Sequence, residues 1–249
     1  ERERNRKREE ERERGGKKGG AVEKSLTMPA GSLPIYCNEE TMGLPSKIVT
    51  NIKSSHYFRS LFKFKVYHEV LGEIKREVKH LEPSDMNLLV STAFCLLYKL
   101  FTLRLTEKQM KRMLDCDDNV YVRGIGFLYL RLTTEPEDLW YWFEHYLEDD
   151  EMIQYQRTGG PVPLGVFVSQ LLQDHKYCGI FFKQLPVKLR KEISDELEEH
   201  YGSLKFPDKF QSYVGKGKSV RDSGRGALGS PPPKRRRTDS FSGGASRED

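Results

Sequence analysis

Apolar residues recur along this chain at helical spacing from about residue 45 to 200, with polar residues between them. Tyr67, Val70, Leu71, Ile74 and Val78 fall at i, i+3, i+4, i+7 and i+11, one face of an amphipathic helix. Pro83 is expected to close it. Before it, Pro45 suits a first turn, with Ile48, Val49 and Ile52 on one face, and Tyr57, Phe58, Leu61 and Phe62 continue the spacing. From Leu88 to Leu105 the chain is apolar on nearly every side, which predicts a helix enclosed by other helices, the central one of the domain. Ser84, Asp85 or Asn87 is expected to cap it. Lys99 and Arg104 interrupt the run, which is too short to cross a membrane.

Thr106-Glu107-Lys108-Gln109 reads as a capping box, flanked by Leu105 and Met110 at the staple positions. Asp117-Asp118-Asn119 opens the next helix, whose N-terminus favours negative charge. Inside that helix Gly124 and Gly126 each cost about 1 kcal/mol against alanine, which implies another helix packed close on that side. Thr134-Glu135-Pro136-Glu137 is expected to form a second capping box. It leads into Leu139, Trp142, Phe143, Tyr146 and Leu147, an aromatic stripe suited to a core. Met152 to Val162 reads as a small hairpin or a plain loop. Leu164, Phe167, Val168, Leu171 and Leu172 predict a helix stopped near Gly179. Ile180, Phe181, Phe182 and Leu185 follow as a short turn or helix, and Pro186 starts a last helix bearing Leu189, Ile193 and Leu197.

Charge divides the chain. Residues 25–211 hold 23 basic and 26 acidic residues, whereas the two ends carry the net positive charge. A domain that clamps nucleic acid usually shows the opposite distribution. Residues 1–32, an Arg/Glu tract with Gly-Gly-Lys-Lys-Gly-Gly and an extended lead-in, and residues 206–249, rich in Gly, Ser, Lys and Arg, read as disordered tails. The fold expected is all-α: one multi-helix domain over residues 33–205 between charged tails. Glu1 opens the numbering, which can therefore start inside a longer chain.

The chemistry of catalysis is not legible here. Cys37, Cys95, Cys116 and Cys178 are dispersed, without C-x-x-C spacing, and fit a reducing compartment. Six histidines lack metal spacing, so no metal and no cofactor is expected. No G-x-S-x-G elbow occurs. Gly217-Lys218-Ser219 lacks the leading glycine of a phosphate loop, since position 212 is serine. No signal peptide or membrane run is recognisable. An enzyme is therefore not expected.

Two features suggest binding. Arg123, Phe127 and Arg131 share one helical stripe, with Tyr121 beside it; exposed, they can clasp an acidic peptide or stack on a base. The alternative buries Phe127 and pairs the arginines with carboxylates such as Asp117 or Glu135. Pro233-Lys234-Arg235-Arg236-Arg237 resembles a nuclear import signal or is a solvated charge run; Thr238 and Ser240 beside it are phosphorylatable.

Several motifs occur in a fixed order: Leu33-Pro34-Ile35-Tyr36, Asn38-Glu39-Glu40-Thr41-Met42, Tyr67-His68-Glu69-Val70, the Ser91-to-Leu103 run, Tyr121-Val122-Arg123 with Gly126-Phe127, Tyr129 and Arg131, and Asp138-Leu139-Trp140 with Phe143-Glu144. Together they resemble the pre-mRNA-splicing factor 38 family, closest to its B-type branch. The resemblance implies an all-helical, non-catalytic scaffold in the nucleus. Its partners would be proteins of the precatalytic spliceosome and the U4/U6.U5 tri-snRNP, and its role the rearrangement that activates the assembly. The Gly-rich insertion of the B branch after Glu82-Pro83 is nearly absent here, and the C-terminal tail lacks a long Arg/Ser tract. The rival expectation is an RNA-binding module using the basic tails and the Arg123 stripe, with contact to snRNA or pre-mRNA.

Overall fold

The computed structural model describes residues 31–85 and 89–201. Residues 1–30 of the expected N-terminal tail, the whole C-terminal tail with its Lys234–Arg237 cluster, and residues 86–88 and 202–205 of the expected domain lie outside the described residues. The described part is all-helical, with two minimal hairpins. The order is α1 (Ser46–Ser54), α2 (His56–Ser60) running into a 3-10 turn, α3 (Tyr67–Glu77), α4 (Thr92–Leu103), α5 (Glu107–Leu114) and α6 (Val120–Thr133). Then come α7 (Leu139–Phe143) between 3-10 turns, the pair β1 (Met152–Ile153) and β2 (Val162–Pro163), α8 (Leu164–Gln173), the pair β3 (Lys176–Tyr177) and β4 (Ile180–Phe181), and α9 (Val187–Tyr201).

The centre of the core is α6 rather than the expected Leu88–Leu105 run. Every residue from Val122 to Thr133 is buried, and α3, α4, α5, α7 and α8 all pack on α6. Helix α4 is buried from Ala93 to Phe101 but starts only at Thr92, and Leu89 is exposed. Its cap is Ser91, whose hydroxyl accepts from the Phe94 amide at 3.2 Å. Of the expected caps, Asp85 instead accepts from the Leu89 amide within the preceding loop, Ser84 pairs with Val90 in a backbone bridge, and Asn87 lies outside the described residues. Helix α3 ends at Glu77, well before Pro83, because the chain turns extended at Val78.

The capping box on α5 forms as read: the Thr106 hydroxyl accepts from the Gln109 amide, and the Gln109 side chain accepts from the Thr106 amide. Asn119 caps α6 by accepting from the amides of Tyr121 and Val122. The second box does not form. Thr134 is spent terminating α6, its amide bonded to Leu130 O, and Pro136 opens a 3-10 turn with no side-chain cap.

Gly124 and Gly126 face different neighbours, as residues two apart on a helix must. A Cβ on Gly126 would stand 2.9 Å from Leu114 Cδ2 on α5, the helix contact expected. One on Gly124 would stand 2.5 Å from Leu81 Cδ1 and 2.7 Å from Ile153 Cδ1, a loop and a strand rather than a helix. Residues 152–163 form the hairpin alternative, with Ile153 opposite Val162. The Ile180–Leu185 stretch is not a helix. Its start is β4, joined to β3 by Cys178 and Gly179 at φ of 43° and 88°, the turn that a two-residue hairpin requires. Glycine takes that backbone without cost, and Cys178 does not.

Candidate partner-binding site

Arg123 and Arg131 sit on α6 about 12 Å apart along its axis and do not form one surface. Phe127 between them is fully buried, edge-on to Phe143 and Tyr146. An exposed Arg–Phe–Arg clasp is therefore not what the fold builds. Tyr121 is half-buried in the first turn, packed on the core.

Arg123 is a structural lock. Its Nε donates to Leu114 O at 2.8 Å, one terminal nitrogen donates to Glu151 at 2.5 Å, and the other pairs with Asp149. Burial works against its charge, but the bonds to the two carboxylates outweigh it and hold the pKa above the ordinary arginine value. These carboxylates come from the acidic exit after α7, not from Asp117 or Glu135. Asp118 pairs instead with Lys75 at 3.0 Å.

Arg131 is met differently. Its Nε donates to Leu171 O at 2.7 Å, and its terminal nitrogens reach only Lys183 O, at 3.5 and 3.4 Å. The guanidinium stacks on the Phe182 ring at 4.7 Å. Among the described residues no carboxylate pairs with it, and burial alone brings its pKa down to about 10, so it stays charged at neutral pH.

Arg131 borders a cavity of about 230 Å³ lined also by Tyr36, Cys37, Asn38, Gly43, Leu132 and Lys183. The lead-in segment makes the opposite wall. Leu33 N donates to Leu105 O at 2.8 Å and Tyr36 N to Thr133 O at 2.7 Å, so this strand-like piece is tied across the ends of α4 and α6. Asn38 then turns the chain, its side chain accepting from the amides of Glu40 and Thr41. Tyr36 is 47% exposed, and Lys183 Nζ lies 4.3 Å from its ring centre. Burial pushes the Cys37 thiol up to about 11, so it carries no charge at neutral pH. The sequence reading singled out Arg131 but not these companions. The one signal for them was an arginine set in an otherwise apolar helix beside an extended, aromatic lead-in.

Among the described residues no group of His, Cys, Asp or Glu is placed to hold a metal ion, and no helix is long and apolar enough to cross a membrane.

An all-helical domain with a small cavity beside Arg131 is the class the geometry of the described residues defines. The chain belongs to the PRP38 family, whose model matches residues 33–195. It is similar to the human pre-mRNA-splicing factor 38B, 38% identical over 195 residues, covering 70% of this chain and 36% of that protein. It is also similar to the Arabidopsis thaliana pre-mRNA splicing factor SR-like 1, 42% identical over 151 residues, 60% of this chain and 38% of that protein. The chain thus spans little more than a third of the relatives' length, and those matches place it with the B-type branch. The fold is similar to one chain in the crystal structure of the Snu23-Prp38-MFAP1(217-258) complex of Chaetomium thermophilum. The TM-score is 0.57 at 19% identity, over 68% of this chain and 88% of that one.

Proposed function

We propose that this chain is a non-enzymatic pre-mRNA splicing factor whose helical domain is a protein-interaction scaffold in the precatalytic spliceosome, needed for its activation. The observation that carries the reading is family membership, with relatives named pre-mRNA-splicing factor 38B. The protein of similar fold was crystallised in a complex with two other proteins, which supports an interaction role for the shared architecture. The partners are proteins of that assembly and of the U4/U6.U5 tri-snRNP, and the compartment is the nucleus, served by Lys234, Arg235, Arg236 and Arg237.

RNA binding through the helical domain is the weaker reading. Phe127 is closed to a base, Arg123 is neutralised by two carboxylates, and residues 25–211 carry more acid than base. The test is a nuclear-extract pulldown with the 249-residue chain and with residues 25–211, each with and without ribonuclease. Recovery of splicing proteins by both, despite ribonuclease, is expected. Recovery that vanishes with ribonuclease, or needs the tails, overturns the scaffold reading in favour of RNA tethering.

A further inference from the structure

We propose that the cavity bounded by Tyr36, Cys37, Arg131 and Lys183 is a carboxylate pocket that receives a glutamate or aspartate side chain of a partner protein. The inference rests on the scaffold reading for its occupant and on the geometry for its chemistry. A buried cation is ordinarily paired, because taking a charge out of water without a counter-charge is costly. Arg123 obeys that rule and Arg131, at 6% exposure, does not. Its Nε is anchored on Leu171 O, which fixes the plane of the guanidinium. Its terminal nitrogens have only a carbonyl near the outer limit of a hydrogen bond. That leaves a planar donor fork held beside a cavity without an anion among the described residues, the geometry a carboxylate satisfies bidentately.

The rest of the lining fits a carboxylate on a short apolar stem. Leu132, the Tyr36 ring and Gly43 offer apolar wall, and Lys183 supplies a second, exposed cation at the rim. A Cβ on Gly43 would come within 3.5 Å of Leu132 O and 3.7 Å of Cys37 Cβ, so a larger residue there would narrow the space. The Cys37 thiol is uncharged and does not compete for the cations. Glu39 is paired with Arg104 at 2.9 Å, so it is exposed Glu40, two residues after Asn38, that weighs against the flanking phosphates of a nucleic-acid backbone.

The experiment is an NMR titration of the full chain, labelled with 15N, reading the Arg131 Nε–Hε signal and the amides of Cys37, Asn38 and Lys183. The probes are N-acetyl-glutamate α-amide, its glutamine counterpart, inorganic phosphate and a hexauridylate, at constant ionic strength. Saturable shifts with the glutamate probe alone are expected, with a Kd of about 1 mM for so small a ligand. Arg131→Met should abolish them, and Lys183→Ala, an exposed change that leaves folding intact, should weaken them severalfold. Equal shifts with the glutamine probe, tighter binding of phosphate or hexauridylate, or no effect of either substitution would overturn the proposal. The readout uses no splicing protein, so its failure leaves the scaffold reading standing. In the pulldown, Arg131→Met should lose at least one ribonuclease-resistant partner. Undiminished recovery would remove the pocket as a docking site while leaving the scaffold intact.

Discussion

Arg123 and Arg131 are almost equally buried on one helix, at 8% and 6% exposure, yet the protein treats their charges in opposite ways. Removing Arg123 strands Asp149 and Glu151 beside a buried site and leaves Leu114 O without its donor. Breaking a buried pair costs about 3–5 kcal/mol. Because the two carboxylates keep some contact with water, the expected loss for Arg123→Ala is about 2–3 kcal/mol, read by urea denaturation. Arg131→Met removes a charge that, among the described residues, is met by the Phe182 ring and by carbonyls but by no carboxylate. The lost bond to Leu171 O and the relieved burial of charge act against each other, so stability should stay within about 1 kcal/mol of wild type. A loss for Arg131→Met as large as that for Arg123→Ala would mean the cation is compensated after all. The sequence marked both arginines and separated neither, because their partners lie far along the chain. Asp149 and Glu151 follow α7, and Leu171 is on α8. Composition around position 123 points to Asp117 as readily.

At the scale of the element, helix α6 depends on its two glycines for close approach on opposite sides. Gly126→Ala meets the flexible tip of Leu114, and about 1 kcal/mol of regained helix propensity offsets the crowding, so a change within about 1 kcal/mol is expected. Gly124→Ala meets two side-chain tips at once, Leu81 and Ile153, and overpacking of 1–3 kcal/mol outweighs the propensity gain. A net loss of up to about 2 kcal/mol is expected. Ile153→Val deletes one of those tips, so the double variant should be less destabilised than the two single changes summed. Strict additivity would show that Ile153 is not what Gly124 makes room for. The helices themselves were legible, because apolar spacing and the Thr106 box act within one element. Which helix is central was not. Both α4 and α6 are apolar nearly all round, and their rank depends on how many neighbours the chain brings back to each. The false capping box at Thr134 has the same origin: a residue able to start one helix was needed to end another. The Cys178-Gly179 turn escaped notice because a cysteine at positive φ carries little signal.

At the scale of the whole molecule, burial leaves a set of acids that ionise late. Cys37 and Cys95 are pushed up to about 11, Cys178 to about 12, and Tyr67 and Tyr129 to about 12, from starting values of 9.0 for thiols and 10.0 for phenols, with burial the largest cause throughout. Tyr57, Tyr146, Tyr155 and Tyr177 shift the same way. A raised folded-state pKa means that the folded form holds its proton where the unfolded form has released it. Stability is therefore complete below about pH 9 and falls as pH rises through 9–12. Arg131 runs the other way. Its lowered pKa makes the unfolded form the better proton binder above about pH 10, so stability gains from this group as pH rises there, but one group does not reverse the slope set by many. The fold should thus withstand neutral and mildly alkaline solution and unfold steeply above pH 10 in equilibrium urea titrations. Cys178 isolates one contribution. Its shift corresponds to about 4 kcal/mol at most, lost progressively over the same interval. Cys178→Asn keeps a residue that tolerates the left-handed turn and removes the titrating thiol. The variant should lose less stability than wild type between pH 9 and 12 while differing little in slope below pH 8. Parallel profiles across the whole range would show that the thiol is already ionised, or solvated, in the native fold.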